Sequence, residues 1–173
     1  MDSVRGKLLI ATPSLFDFFR RTVILMVEHT EQGAFGIVLN RLSEATIGEA
    51  VPGLSDLAGA EEPLRIGGPV ATESVVVLGE FEDPEVSRRL VVDGLGVVDP
   101  EEANPVSRAR VYAGHAGWGP GQLESELERE AWLVESASGK DPFIEEDIWA
   151  VVVRRRGGEY ALLATMPDDP SLN

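Results

Sequence analysis

The chain is predicted to adopt an α+β fold. Strand-sized runs of β-branched and apolar residues dominate its first half. Helical periodicity is confined to a few single segments, and strands and helices do not alternate as repeating βαβ units.

Leu8–Ala11, Thr22–Glu28 and Ala34–Asn40 are the early strands. The second and third flank the turn-forming run HTEQG and are apolar at nearly every position, which predicts cover on both faces. Ala45–Leu57 is expected as a short helix broken at Pro52–Gly53. Leu64–Ile66 then runs into a tight turn at Gly67–Gly68–Pro69, and Ser74–Glu80 follows as a strand. Leu90–Val92 and Gly96–Val98 form a hairpin around Asp93–Gly94, a dipeptide suited to two-residue turns. Arg108–Ala113 is a strand of alternating character, followed by a glycine-rich loop containing Gly114, Gly117, Gly119, Pro120 and Gly121. A helix is expected from Pro120 to about Glu130, since Pro suits a first turn and Leu123, Leu127 and Ala131 make one apolar stripe. Ala131–Ser136 is the last strand. Within Ile144–Arg156, Val151–Val153 favours strand, but Phe143, Ile144, Ile148, Val151 and Val152 share a helical face, and helix is the expectation.

A chain of 173 residues without repeat or linker suits one domain over residues 1–173. It can bury about 70% of its unfolded surface without a disulfide or metal staple. The absence of cysteine excludes disulfides, thiolate metal sites and cysteine nucleophiles, and suits a reducing compartment. The N-terminal MDSVRGKLLIATP has too short an apolar run for a signal peptide, and Val23–Val27 and Val75–Leu78 are strand-sized. A cytoplasmic location follows as the expectation. The 15 basic residues face 30 acidic ones, giving a formal net charge of −15. Direct nucleic-acid binding and adhesion to anionic membranes are therefore disfavoured. The basic clusters Arg20–Arg21, Arg88–Arg89 and Arg154–Arg156 are expected to face neighbouring carboxylates.

Little in the chain nominates a catalyst. His29 and His115 are the only histidines, so any acid/base scheme would use one of them, with an unperturbed pKa of about 6.5. With no close histidine pair and no cysteine, no metal or other cofactor is expected. The Gly-x-Ser-x-Gly elbow is absent, and the acidic pairs Glu61–Glu62, Glu101–Glu102, Glu145–Glu146 and Asp168–Asp169 are too many to be diagnostic. The glycine loop lacks the lysine and hydroxyl of a P-loop, and Glu124 and Glu126 would repel a phosphate. Two readings remain for it: a close-packed turn with Trp118 in the core, or a surface where Trp118 and Gln122 hold a small ligand or a protein partner. Arg41, just past a strand, could grip a carboxylate or pair with a nearby acid.

Six segments in order resemble the AlgH/YqgE family of small bacterial proteins labelled transcriptional regulators. They are Gly6–Pro13, Val23–Arg41, Ile66–Val70, Ala116–Leu127, Asp141–Trp149 and Pro167–Asn173. The resemblance implies a bifurcated mixed sheet curled into a pseudo-barrel, with a few flanking helices. It implies no assigned reaction, because the regulator label derives from a genetic phenotype rather than a recognisable DNA-binding element. Asp17–Phe18–Phe19 lacks the family's proline, Leu42 follows Asn40–Arg41 in place of a proline, and His115 stands where tyrosine is common. The loop-type residues of these segments, Asn40, Arg41, Gly67, Gly68, Pro69, Gly117, Trp118 and Gln122, are expected around one groove. The resulting expectation is a regulatory or accessory protein that binds a small ligand or protein partner. The alternative is a small cofactor-independent hydrolase with His29 or His115 as base.

Overall fold

The computed structural model describes residues 2–13, 15, 18–83, 85, 90–101 and 105–165. Asp17, Arg88–Arg89, Glu102, Asp168–Asp169 and the segment Pro167–Asn173 lie outside these. Alternation of β-branched runs with turn residues yields the order β1 (Lys7–Ala11), β2 (Val23–Thr30), β3 (Gly33–Val38), β4 (Leu42–Thr46), α1 (Ile47–Ala50), α2 (Ser55–Ala58) and β5 (Pro63–Ile66). There follow β6 (Val70–Phe81), β7 (Leu90–Val92), β8 (Leu95–Val97), β9 (Val106–Trp118), α3 (Gln122–Glu128), β10 (Trp132–Ser136) and α4 (Ile148–Arg156).

The strands bond in the order β10-β1-β2-β3-β9-β6-β8-β7, with β5 joining β9 and β4 joining β5. The fold is α+β, and its curled sheet stays open, because β10 and β7 do not pair with each other. β9 is the branch point. Its Tyr112–Ala113 segment runs parallel to Arg65–Ile66 of β5, while Ala116–Trp118 pairs antiparallel with Ala34–Gly36 of β3. Its other edge carries β6.

Local chemistry explains where the elements differ from expectation. The segment Gly114–Trp118 is strand, not loop: β9 continues through it because β3 and β6 supply backbone partners on both edges. Leu42–Thr46 is an additional strand, and the expected helix over Ala45–Leu57 starts later and divides in two. Thr46 starts α1 with a capping box, its hydroxyl accepting from the Glu49 amide at 3.2 Å while Glu49 accepts from the Thr46 amide at 3.1 Å. The Asp93–Gly94 turn forms as expected, with Val92 opposite Leu95. α4 begins at Ile148 behind the N-cap Asp147, which accepts from the Ala150 amide at 3.2 Å.

Both faces of β1–β3 are covered. Leu8, Ile10, Val23, Leu25 and Ile37 pack with Ile148, Trp149, Val152 and Val153 of α4, whereas Leu9, Ile24, Met26 and Val38 pack with Trp118, Leu123 and Trp132. The β-branched residues of α4 cost at most about 0.7 kcal/mol each in helix propensity. Burying a large apolar side chain returns about 1.5–3 kcal/mol, so tertiary packing decides the conformation of this segment. A third cluster joins Ile47, Leu54 and Leu64 to Val77, Val98 and Val111. The clip between buried Asp141 and Arg155, with contacts of 2.7 and 3.1 Å, fastens α4 to the turn before it. Arg156 reaches Glu135 at 3.4 Å, so two members of the last basic cluster do face carboxylates. No helix among the described residues is long and apolar enough to cross a membrane.

Gly67 and Gly68 are buried with their backbone against β9. A Cβ on Gly68, whose φ is +154°, would stand 2.0 Å from the His115 carbonyl carbon, and one on Gly67 would stand 2.4 Å from the Gly114 oxygen. Gly68→Ala is expected to destabilise the fold by about 3 kcal/mol, whereas Gly53→Ala, with nothing within 4 Å, should be nearly silent. Urea unfolding midpoints test this; an unchanged midpoint for Gly68→Ala would mean that the two backbones can part freely.

Candidate functional site

The sequence-predicted residues do not share one groove. The fold distributes them between two clefts and a close-packed backbone contact. Gly117, Trp118 and Gln122 line a cavity of about 430 Å³ together with Phe19, Glu126, Arg129 and Trp132. Asn40 and Arg41 line a separate cleft of about 520 Å³. Gly67, Gly68 and Pro69 line neither, and the two glycines serve the contact with β9.

The tryptophan cavity is organised by Glu126. Its Oε1 accepts from the indole N–H of Trp118 at 3.1 Å and of Trp132 at 2.9 Å, and its Oε2 accepts from the Gln122 amide at 3.2 Å. Gln122 is fixed at its other end, where Oε1 accepts from the Gly119 amide at 3.0 Å. The i, i+4 spacing on α3 brings Gln122 and Glu126 to one face. Trp118 and Trp132 are buried and meet edge to face at 6.2 Å, and Phe19 meets Trp132 in the same manner at 5.7 Å. Trp118 is therefore a core residue and a cavity wall at once. Three N–H donors occupy three of about four acceptor positions on the carboxylate. One acceptor position on Oε2 remains. Sequence reasoning missed Glu126, Trp132 and Phe19; the helical spacing Gln122–Glu126 was the available signal, and nothing local pointed to Trp132.

Asn40 and Arg41 act as a brace. The Asn40 side chain accepts from the Val23 amide at 3.0 Å and donates to the Arg21 carbonyl at 2.8 Å. Arg41 donates to the carbonyls of Asn40 at 3.3 Å, of Phe18 at 3.5 Å and of Arg20. Together they fasten the loop Phe18–Arg21 to the end of β3. Arg21, held at φ 54°, lays its guanidinium over the Trp149 ring at 4.4 Å. The cleft also contains Arg65, a β5 residue that sequence reasoning passed over.

The histidines are built into the scaffold. His29 accepts from the Val4 amide on Nδ1 at 2.9 Å, which places the ring proton on Nε2, 2.6 Å from Glu124 Oε1. Ser3 lines the same shallow cavity, but its hydroxyl donates to the His29 carbonyl at 3.4 Å rather than to the ring. No serine–histidine relay is assembled there. His115 packs against Phe35 at 4.6 Å, and burial lowers its pKa below the usual value. Among the described residues no cluster of His, Asp and Glu has the makings of a metal site.

Replacing Asn40 by Ala removes one hydrogen bond to the Val23 amide and one to the Arg21 carbonyl, and is expected to cost about 1–3 kcal/mol in equilibrium unfolding. The Glu124 carboxyl lies below its usual value of 4.5, chiefly through its hydrogen bond to His29. Its stabilising contribution is thus present above pH 4.5 and is lost as pH falls through the lowered folded value. Glu124→Gln is expected to unfold more easily than the parent near neutrality and to converge with it in acid. Parallel curves over the whole range would contradict the coupling.

The comparisons with known proteins agree with this fold. The AlgH-like family profile matches residues 8–161. A UPF0301 protein of Streptomyces coelicolor is 44% identical, the match covering 100% of this chain and 97% of that one. A UPF0301 protein of Mycobacterium bovis is 41% identical, over 97% of this chain and 90% of its own. Among solved structures, a Corynebacterium diphtheriae protein superposes with a TM-score of 0.86 at 33% identity, covering 96% of this chain and 94% of that one. The AlgH protein of Pseudomonas aeruginosa, a UPF0301 protein, superposes at 0.73 with 29% identity, covering 96% of this chain and 97% of that one. With most of its length matched by the profile and by these relatives, the chain belongs to the AlgH-like family.

Proposed function

We propose that this protein is a cytoplasmic regulatory or accessory protein that acts by binding, with the tryptophan cavity as its recognition site. One observation carries the reading: Trp118, Gln122 and Trp132 converge on the Glu126 carboxylate, with Phe19 against Trp132, around a cavity of about 430 Å³. Apolar walls with a few fixed polar groups are the usual make-up of a ligand pocket. Glu126, oriented by three donors, selects for a ligand that brings an N–H donor or a cation alongside an apolar body. The net charge of −15 argues against phosphate-backbone recognition as the activity. The hydrolase alternative is not favoured, since His29 is engaged on both ring nitrogens.

Thermal unfolding against a library of small amines, amides and metabolites tests the proposal. A ligand at a hundred times its Kd stabilises the native state by about 2.7 kcal/mol. For a chain of this size that raises the midpoint by roughly 5–11 °C. The expected hit loses its shift in Gln122→Ala and in Trp118→Phe, which keeps a ring but removes the N–H. A shift that survives both substitutions would locate binding elsewhere. A library without hits would remove the small-ligand reading and leave a protein partner to occupy the cavity.

A further inference from the structure

The cleft beneath Asn40 and Arg41 holds a cation whose binding capacity the fold leaves unused. Arg65 is 9% exposed, and its guanidinium lines the cleft. Only its Nη1 is engaged, by the Pro63 carbonyl at 3.4 Å and, at 4.0 Å, by Glu62. Among the described residues, Nε and Nη2 have no hydrogen-bond partner. These two nitrogens form one edge of the planar guanidinium, the edge that accommodates a carboxylate through two parallel hydrogen bonds.

The neighbouring acids do not fill this role. Glu62 is drawn away by Arg110 at 2.9 Å, and Arg110 also holds Glu145 at 3.2 Å. Arg110 is itself buried, and its positive charge acts on Arg65. The Arg110 Nε and the Tyr112 hydroxyl are buried without partners in the same neighbourhood. Burial, and then the Arg110 charge, push the Arg65 guanidinium below its usual range. A carboxylate arriving at its open edge would relieve that penalty. The cleft is also lined by Glu145, Glu146 and Asp147, alongside Arg21 and Arg41. Asp147 is committed to capping α4, whereas Glu146 is exposed and makes no ion pair. The four carboxylates of the lining outnumber its three arginines, which disfavours phosphates and dicarboxylates and suits an added ammonium group. Ile144 and Ile148 supply apolar wall to the cleft.

We propose that the Nε–Nη2 edge of Arg65 anchors a second site, for a small zwitterionic carboxylate of the apolar α-amino-acid class, whose ammonium group lies toward Glu146. The site is independent of the tryptophan cavity and stands whether or not that cavity binds a ligand.

NMR of the arginine Nε–H groups in the full chain tests the proposal, with L-leucine, isocaproate, isoamylamine and inorganic phosphate as probes. L-Leucine is expected to move the Arg65 Nε–H resonance saturably, isocaproate more weakly, and isoamylamine not at all. Arg65→Lys retains the charge but loses the two-pronged edge and the reporting resonance, so it is read by isothermal titration calorimetry, where L-leucine should bind about tenfold or more weakly. Glu146→Gln, an exposed change with little bearing on folding, should weaken L-leucine while leaving isocaproate unaffected. Trp118→Phe should change neither response, which separates this site from the cavity. The proposal is overturned if L-leucine leaves Arg65 unmoved, if phosphate binds as well as L-leucine, or if Glu146→Gln weakens L-leucine and isocaproate alike.

Discussion

The backbone contact between Gly67–Gly68 and the Gly114–His115 stretch of β9 is the constraint on which the architecture rests. β9 serves β3 and β5 along one edge and β6 along the other, and the chain must turn from β5 into β6 directly against it. The Gly67 amide donates to the Ala113 carbonyl at 2.8 Å, and its own carbonyl accepts from the Val38 amide at 2.8 Å. Three strands are thus tied through one residue. Side chains at these positions would hold the strands apart, and the sheet could not branch. Gly114, at φ 75°, meets the same restriction from the other side, its Cβ position lying 2.4 Å from the Gly68 carbonyl oxygen.

Polar groups of the connections around the branch are paired with the same economy, the Arg110 Nε and the Tyr112 hydroxyl being exceptions. Asn40 satisfies one amide and one carbonyl that the β1–β2 connection leaves open, and Arg41 adds carbonyl contacts beside it. Asp141 accepts from the Ser138 amide at 2.8 Å as well as from Arg155, so a buried carboxylate is matched on both oxygens. Against that background the open edge of Arg65 is conspicuous.

Much of the fold was legible in the sequence because it was written in local chemistry. Continuous β-branched runs marked β2 and β3, the Asp93–Gly94 pair marked its hairpin, and one apolar face distinguished α4 from a strand. The glycine segment was misread for a physical reason. Glycine signals backbone freedom, and whether that freedom serves a loop or a close strand contact depends on residues far away in sequence. The site was legible only in pieces. Trp118 and Gln122 stood out by residue type, but Glu126 looked like one more acid among 30, and its role exists only once β9 and β10 bring two indoles to it. Asn40 and Arg41 were noticed for their chemistry, yet the backbone groups they hold could not be seen before the chain had folded back. Arg65 sits in a short strand whose partners are set by tertiary pairing, so no neighbouring residue betrayed it.

The braced loop has one further consequence. Phe19 forms a wall of the tryptophan cavity, while Arg21, two residues on, forms a wall of the arginine cleft. The carbonyls of Phe18, Arg20 and Arg21 are gripped by Asn40 and Arg41. The loop is therefore one braced wall common to both clefts. By thermodynamic reciprocity, whatever influence an occupant of one cleft exerts on affinity in the second is returned in equal measure.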